Sequence, residues 1–303
     1  MRGSDTVAGT NQLDSTVGIA RLVTALLTPC HEDGAVDLDA IGPLVEHQVE
    51  QGTDGLFVLG TAGQGPLLET TERLAVLERI VAASAGRLAV ICHVGAASTE
   101  TAVRLARHAQ ACGVAAVASV PPTYYSPDRR TVAEFYLTLI DAVDLPVYAY
   151  DNPKATGYSF SVEELASLTT AGLAGVKVAR SEIVCFQDLL SAGVACWVAD
   201  AHLNAAALFA GASGSISTIT NVAPRLFREL QAAVRSCDIE HARQLQRRID
   251  RFARGVRKPI IGGLHYACTR LGLPAGAPRR PLRLPEDEER TVIDGALKGE
   301  GLV

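Results

Sequence analysis

The sequence predicts a closed barrel of eight parallel strands, each followed by a helix: an α/β fold of the (β/α)8 TIM-barrel type with a C-terminal helical extension. Three observations carry this. From residue 18 onward, short β-rich apolar runs alternate with amphipathic helical patterns at a spacing of about thirty residues, as repeated βαβ units require. There are eight such runs. They are apolar almost throughout, as strands are when both faces of a sheet are covered. An open doubly wound sheet is the structural alternative, and eight strand-and-helix pairs favour closure.

The strands are expected at residues 22–27, 56–59, 88–93, 115–120, 147–150, 175–178, 196–199 and 215–218. After Ser98 and Thr99, residues Ala102, Leu105, Ala106 and Ala109 recur at helical spacing and stop before Gly113, which predicts an amphipathic helix with a glycine at its end. Thr131-x-x-Glu134 and Ser161-x-x-Glu164 both read as capping boxes, where a hydroxyl satisfies an orphan amide and the acid reaches back. Beyond residue 237 the strands cease. Helical patterns are then expected near 239–253, over 260–271 and from Pro285. The expected organisation is a flexible N-terminal segment 1–17, one barrel domain 18–236 and a helical extension 237–303. The charged run 279–290 (RRPLRLPEDEER) reads as a solvated loop leading into a helix N-terminus.

A chain of 303 residues can bury one large core, and 48% hydrophobic with 20% charged residues is a globular composition. A net charge of -5 leaves no basic field to hold a phosphate backbone or an anionic membrane, so no nucleic-acid or membrane partner is expected. No apolar run is long enough to span a bilayer, and residues 1–17 lack the apolar stretch of a signal peptide, so a cytoplasmic location is expected. The seven cysteines include no C-x-x-C pair and are odd in number. Neither a disulfide framework nor a thiolate zinc site is expected, and they read as small buried hydrophobes.

In such barrels the reacting groups lie at the C-terminal ends of strands. The second run ends in a glycine-rich turn, 60–65, whose amides could hold a carboxylate or phosphate, although such turns are common. The fifth ends at Tyr150, where a tyrosine is more often packing than catalyst. The sixth holds Lys177 within an otherwise apolar strand. A buried ammonium is expensive. Desolvation lowers its pKa and frees the amine to attack a carbonyl, the requirement of imine catalysis; a lysine snorkelling out of the strand end is the ordinary alternative.

Six strand-end motifs, in order, resemble the pyruvate-dependent family of dihydrodipicolinate synthase and N-acetylneuraminate lyase: TALLTP at 24–29, GTAG at 60–63, PPTYY at 121–125, YDNPKATG at 150–157, GVK at 175–177 and GSIS at 214–217. The resemblance runs from about residue 18 to the C-terminus. It implies a (β/α)8 barrel with a C-terminal helical bundle and a homo-oligomer, tetramer or dimer. It implies no metal or organic cofactor. Lys177 matches the family's Schiff-base lysine and Tyr150 its proton-transferring tyrosine. Thr61 matches the linking hydroxyl, and Tyr124 the relay tyrosine supplied by a neighbouring subunit. The 60–63 amides, Ala62 among them, match the holders of a keto-acid carboxylate, and Ile216 matches the position whose carbonyl faces the site in the family.

The activity implied by the resemblance is that of a lyase or aldolase joining or splitting a keto acid and an aldehyde. Several departures bear on substrate. Ala155 stands where lysine-pathway synthases carry an arginine for the second carboxylate, which a methyl cannot replace. The 153–157 stretch resembles the 2-keto-3-deoxygluconate aldolases, while His93-Val94-Gly95 with Ser98-Thr99 resembles the neuraminate lyases. Ala62 replaces a second hydroxyl and Gln64 a usual glutamate. Asp200 and His202 lie where sugar-cleaving members bind the polyol tail, or serve as a helix N-cap and a surface group. The expected substrate is a 2-keto-3-deoxy sugar acid or related 4-hydroxy-2-oxo acid. The alternatives are a synthase or dehydratase using the same imine, and a non-catalytic keto-acid-binding barrel.

Overall fold

A computed structural model describes residues 21–257 and 259–303; the expected N-terminal segment 1–17 lies outside them. Eight strands run parallel in sequence order: β1 (Leu22–Ala25), β2 (Gly55–Val58), β3 (Ala89–His93), β4 (Ala116–Ser119), β5 (Val147–Asp151), β6 (Gly175–Val178), β7 (Cys196–Val198) and β8 (Gly214–Ser217). The last pairs back onto the first, Val23 opposite Ile216, and the barrel closes. Each strand falls inside its expected run or within one residue of it.

Helices α1 (Ile41–Gln51), α2 (Thr70–Ser84), α3 (Thr99–Ala111), α4 (Arg129–Ala142), α5 (Pro153–Thr156), α6 (Val162–Thr170), α7 (Ile183–Ser191), α8 (Asn204–Ala210) and α9 (Pro224–Arg235) succeed the strands from β1 to β8. Then come α10 (Ile239–Val256), α11 (Ile260–Arg270) and α12 (Asp287–Gly299). None of the described helices is long and apolar enough to cross a membrane.

The strands are apolar on both faces because both are covered. Phe57, Ile91, Ala118, Tyr148, Lys177, Trp197 and Ile216 line the barrel interior, and the alternate residues turn to the helices. Val58, Val117, Val176 and Val178 are each fully buried, a burial that contributes about 1.5–3 kcal/mol for a side chain of that kind. α3 matches its expected pattern: Ser98 accepts the Thr101 amide at 3.2 Å, and Ala102, Leu105, Ala106 and Ala109 are its buried residues.

Three local expectations are corrected. Thr131 does not open a helix; Asp128 is the N-cap of α4 and accepts the Thr131 amide at 2.8 Å, one turn earlier. Only four cysteines, 30, 92, 196 and 268, are buried, while Cys112 and Cys185 are half-buried and Cys237 is exposed at a helix junction with a φ of 55°. The charged run is not wholly solvated. Arg279 folds back onto Glu72 at 2.6 Å and onto the carbonyls of Gly34 and Leu67, while the rest of the run leads into α12 through a Glu286–Glu289 capping box. The Ser161 box forms as expected.

The C-terminal segment positions the barrel mouth. α10 packs on α9 and α12. After α11 the chain returns to the loop that follows β1, where the Ala277 amide donates to the Cys30 carbonyl at 2.9 Å, and the Arg279 amide then donates to Gln64 Oε1 at 2.6 Å. The C-terminal chain therefore borders the turn after β2.

Candidate active site

Parallel register sets the central pair. Tyr150 on β5 lies opposite Lys177 on β6, and Lys177 opposite Trp197 on β7, so all three side chains share the inner face. Lys177 is 4% exposed. Its Nζ sits 3.8 Å from the centre of the Phe57 ring and 4.0 Å from that of Tyr150, with no carboxylate as partner among the described residues. Burial alone brings its pKa down to about 7, so near neutral pH a large fraction of the amine is free. A small void of about 10 Å³ adjoins it inside the barrel, lined by Ile91, Ala118, Tyr148, Trp197 and Ile216 among others.

The Tyr150 phenol is also buried. Burial pushes its pKa up, whereas the Thr61 side chain, the charge of Arg257 and the Asn152 amide, which donates to the phenol oxygen at 3.3 Å, draw it down. Phe57 and His93 flank the ring, with centroids 5.7 and 6.2 Å away. Burial, then the charges of Arg73 and Lys177, bring His93 down to about 3, so the ring is neutral; its Nε2 accepts the Val120 amide at 3.2 Å. Arg73 pins the end of β3 by donating to the carbonyls of His93 and Gly95 at 2.7 and 3.0 Å.

The turn after β2 is tightly wound. Leu59 has a φ of 60° and Gln64 of 55°, both in a region disfavoured for side-chain-bearing residues. A methyl at Gly65 would collide with the Leu59 carbonyl, so glycine is required there. Gly65 donates to the Gly60 carbonyl at 3.2 Å, and Thr28 Oγ1 donates to that of Gly63 at 2.7 Å. Among the described residues, no acceptor meets the amides of Thr61, Ala62 or Gly63. Three unused backbone donors in one turn are of the kind that can bind a small anion.

The other sequence-designated residues are spread around this centre. Ile216 lines the cavity from β8. Ala155 is exposed on α5. Asp200 caps the 3-10 turn after β7, accepting the His202 amide at 3.0 Å and the Ser181 hydroxyl at 2.8 Å. His202 turns to Asp250 on α10, 3.0 Å away. Tyr124 is not brought to the lysine within this chain. It stands 87% exposed, with a φ of 83°, stacked edge-to-face on an equally bare Tyr125. Sequence reasoning missed Phe57 and Arg257. Phe57 alternates like any core residue, and Arg257 lies just past α10, where a cation reads as a macrodipole partner.

A (β/α)8 barrel holding an unpaired amine inside its sixth strand, with a phenol in register on its fifth, has the constellation of a Schiff-base lyase. The Dihydrodipicolinate synthetase family model matches residues 18–299, and the chain belongs to that family. The 4-hydroxy-tetrahydrodipicolinate synthase of Bartonella bacilliformis is 33% identical over 295 residues, covering 93% of this chain and 98% of that protein. N-acetylneuraminate lyase of Rhizobium meliloti is 34% identical over 280 residues, covering 91% and 93%. A solved dihydrodipicolinate synthase from Acinetobacter baumannii, complexed with pyruvate, superposes with a TM-score of 0.89 at 28% identity, covering 94% of this chain and all of that one.

Proposed function

We propose that this chain joins or splits the carbon–carbon bond between pyruvate, or a similar 2-keto acid, and an aldehyde through an imine on Lys177. The observation that carries this is the Lys177 amine, held between two ring faces with no anion and a pKa near 7. In this reading the keto-acid carboxylate lies on the Thr61 and Ala62 amides, and the Ile216 carbonyl faces the bound substrate. Lys177 Nζ adds to C2, the Tyr150 phenol gives its proton to the departing hydroxyl so that water leaves, and a protonated imine that draws electrons from C3 forms beside the phenolate. In cleavage, Tyr150 takes the C4 hydroxyl proton, the C3–C4 bond breaks, and the electron pair forms an enamine as the aldehyde departs. Protonation at C3 and hydrolysis release the keto acid and the lysine. Thr61 holds the phenol oriented for both transfers.

The proposed substrate is a 2-keto-3-deoxy sugar acid or related 4-hydroxy-2-oxo acid, with Asp200 and Ala155 bordering its distal end. The two relatives named above carry a synthase and a lyase name at nearly equal identity. The methyl of Ala155 supplies no guanidinium for a second carboxylate, which supports the lyase. The exposed Tyr124–Tyr125 pair supports a homo-oligomer, tetramer or dimer, in which Tyr124 reaches a neighbouring copy's site. Seven unpaired cysteines fit a cytoplasmic location.

Borohydride reduction in the presence of pyruvate, with peptide mass spectrometry of the product, tests the reading. A reduced adduct on Lys177, absent from Lys177→Ala, is expected; no adduct, or one on another lysine, would overturn it. Product analysis with pyruvate and a panel of aldehydes then separates the activities, since cyclised amine-containing products would defeat the aldolase assignment.

A further inference from the structure

Gln64 closes the anion-holding turn and is 1% exposed, yet every hydrogen-bonding atom of its amide is used. Its Nε2 donates to the Thr28 carbonyl at 3.0 Å and meets His265 Nε2 at 3.2 Å; its Oε1 accepts the Arg279 amide at 2.6 Å. The tautomer of His265 is set by its other nitrogen. Nδ1 lies 2.7 Å from the Ala275 carbonyl, which can only accept, so Nδ1 carries the proton and Nε2 offers a lone pair. Burial brings His265 down to about 4, so the ring is neutral at working pH.

Gln64 must therefore present two N–H bonds on one side and an oxygen on the other, and only a primary amide does so. Its three partners come from the loop after β1, from α11 and from the strap 275–279. Thr28, held by that amide, in turn donates to Gly63. The turn is thus latched to the C-terminal chain through one side chain whose hydrogen bonds go to Thr28, His265 and Arg279.

We infer that Gln64 is a positioning residue: by bridging Thr28, His265 and Arg279 it holds the 60–63 amides in register for a carboxylate, so the C-terminal helical segment sets keto-acid affinity. This rests on the proposed keto-acid function. The charged groups packed nearest the latch are Arg279 and Glu72, paired with each other at 2.6 Å, with the Cys30 thiol and Asp37 beside them. On α11 itself, Tyr266 and Arg270 turn away to Asp294 on α12.

Borohydride trapping on Lys177 across a pyruvate series tests this, because it yields a half-saturating concentration and a plateau rate without any aldehyde. In Gln64→Met, which keeps the volume and loses the hydrogen bonds, the half-saturating concentration should rise about tenfold at every pH while the plateau rate changes less than about threefold. Gln64→Glu sets a carboxylate against the Thr28 carbonyl and the Nε2 lone pair. Its half-saturating concentration relative to wild type should be raised at about pH 8 and fall toward wild type at about pH 5.5, where an imidazolium on His265 donates to the new carboxylate. That pH response is not expected of a purely structural defect, and the acidic arm remains readable if the apolar variant fails to fold. Half-saturation within twofold of wild type in both variants, or a fallen plateau rate with half-saturation unmoved, overturns the inference. Failure of wild-type protein to give any Lys177 adduct would instead sink the keto-acid reading itself.

Discussion

Inside the barrel, β6 holds the Lys177 amine between two aromatic rings; outside it, one residue further along β5, Asp151 meets Arg180 at 2.5 Å. The outer charge has a counterion and also a carbonyl, that of Phe160, beneath the guanidinium. The inner one has neither. On the outer face burial pushes the Asp151 carboxyl up while Arg180 draws it down, so ion pairing offsets part of the desolvation. On the inner face nothing offsets it, and the amine gives up its proton near neutrality. One strand pair thus buries a paired charge on one side and an unpaired amine on the other.

Removing the phenol opposite the lysine should break the inner face most severely. Tyr150→Phe keeps the ring against Lys177, so pyruvate should still be trapped on the lysine, but turnover should fall by about two to four orders of magnitude. Steady-state rates with an aldehyde, set beside adduct yield, check this; turnover equal to wild type would exclude Tyr150 from proton transfer.

The outer face should answer in stability rather than chemistry. Asp151→Ala leaves Arg180 without its partner in a largely buried place and should cost about 3 kcal/mol, the lower end for a broken buried pair, because a fifth of the Arg180 side chain still reaches solvent. Denaturant unfolding measures it. The trapping rate of the folded fraction should stay near wild type. A loss of trapping as large as the loss of stability would mean that the two faces are not separable.

How much of this contrast was legible in sequence depends on how local its cause is. Lys177 stood out because one charged residue interrupts an apolar strand, whereas its register with Tyr150 is set by the strand pairing and not by where the two runs end. Asp151, next to Tyr150, looked like part of a motif, and nothing in the chain announced Arg180 as its partner. Thr131 misled because two cap patterns overlap, and Asp128 offers the earlier acceptor and the longer helix. The positive φ of Leu59 and the three contacts of Gln64 depend on segments far apart in sequence, and no window of residues displays them. Arg279 sat in a run that composition marks as solvated, yet its guanidinium folds back on Glu72.

Titration sharpens the comparison next. Only the free amine attacks a carbonyl, so the rate of pyruvate trapping at low pyruvate should fall about tenfold per pH unit below about 7 and level off above it. The direction of the shift sets the sign: the folded pKa lies below the ordinary lysine value of 10.5, so the neutral form gains from pH 7 upward rather than from 10.5. A rate still rising tenfold per unit through pH 9 would show an amine solvated like any surface lysine.

Arg257 gives the smallest and most specific of these effects. Its charge favours the Tyr150 phenolate, and its own pKa is lowered by burial while Asp200 and Tyr150 raise it. Arg257→Gln removes the charge and keeps a polar side chain of similar reach. The phenol's titration should then move to higher pH, and turnover at neutral pH should fall by about three- to tenfold, as expected for one screened charge acting on an acid-base group. Pyruvate trapping should be unaffected, since neither the lysine nor the 60–63 amides depend on that charge. A pH–rate profile whose alkaline limb stays in place would separate Arg257 from the phenol. A fall in pyruvate trapping would instead assign its charge to the substrate carboxylate.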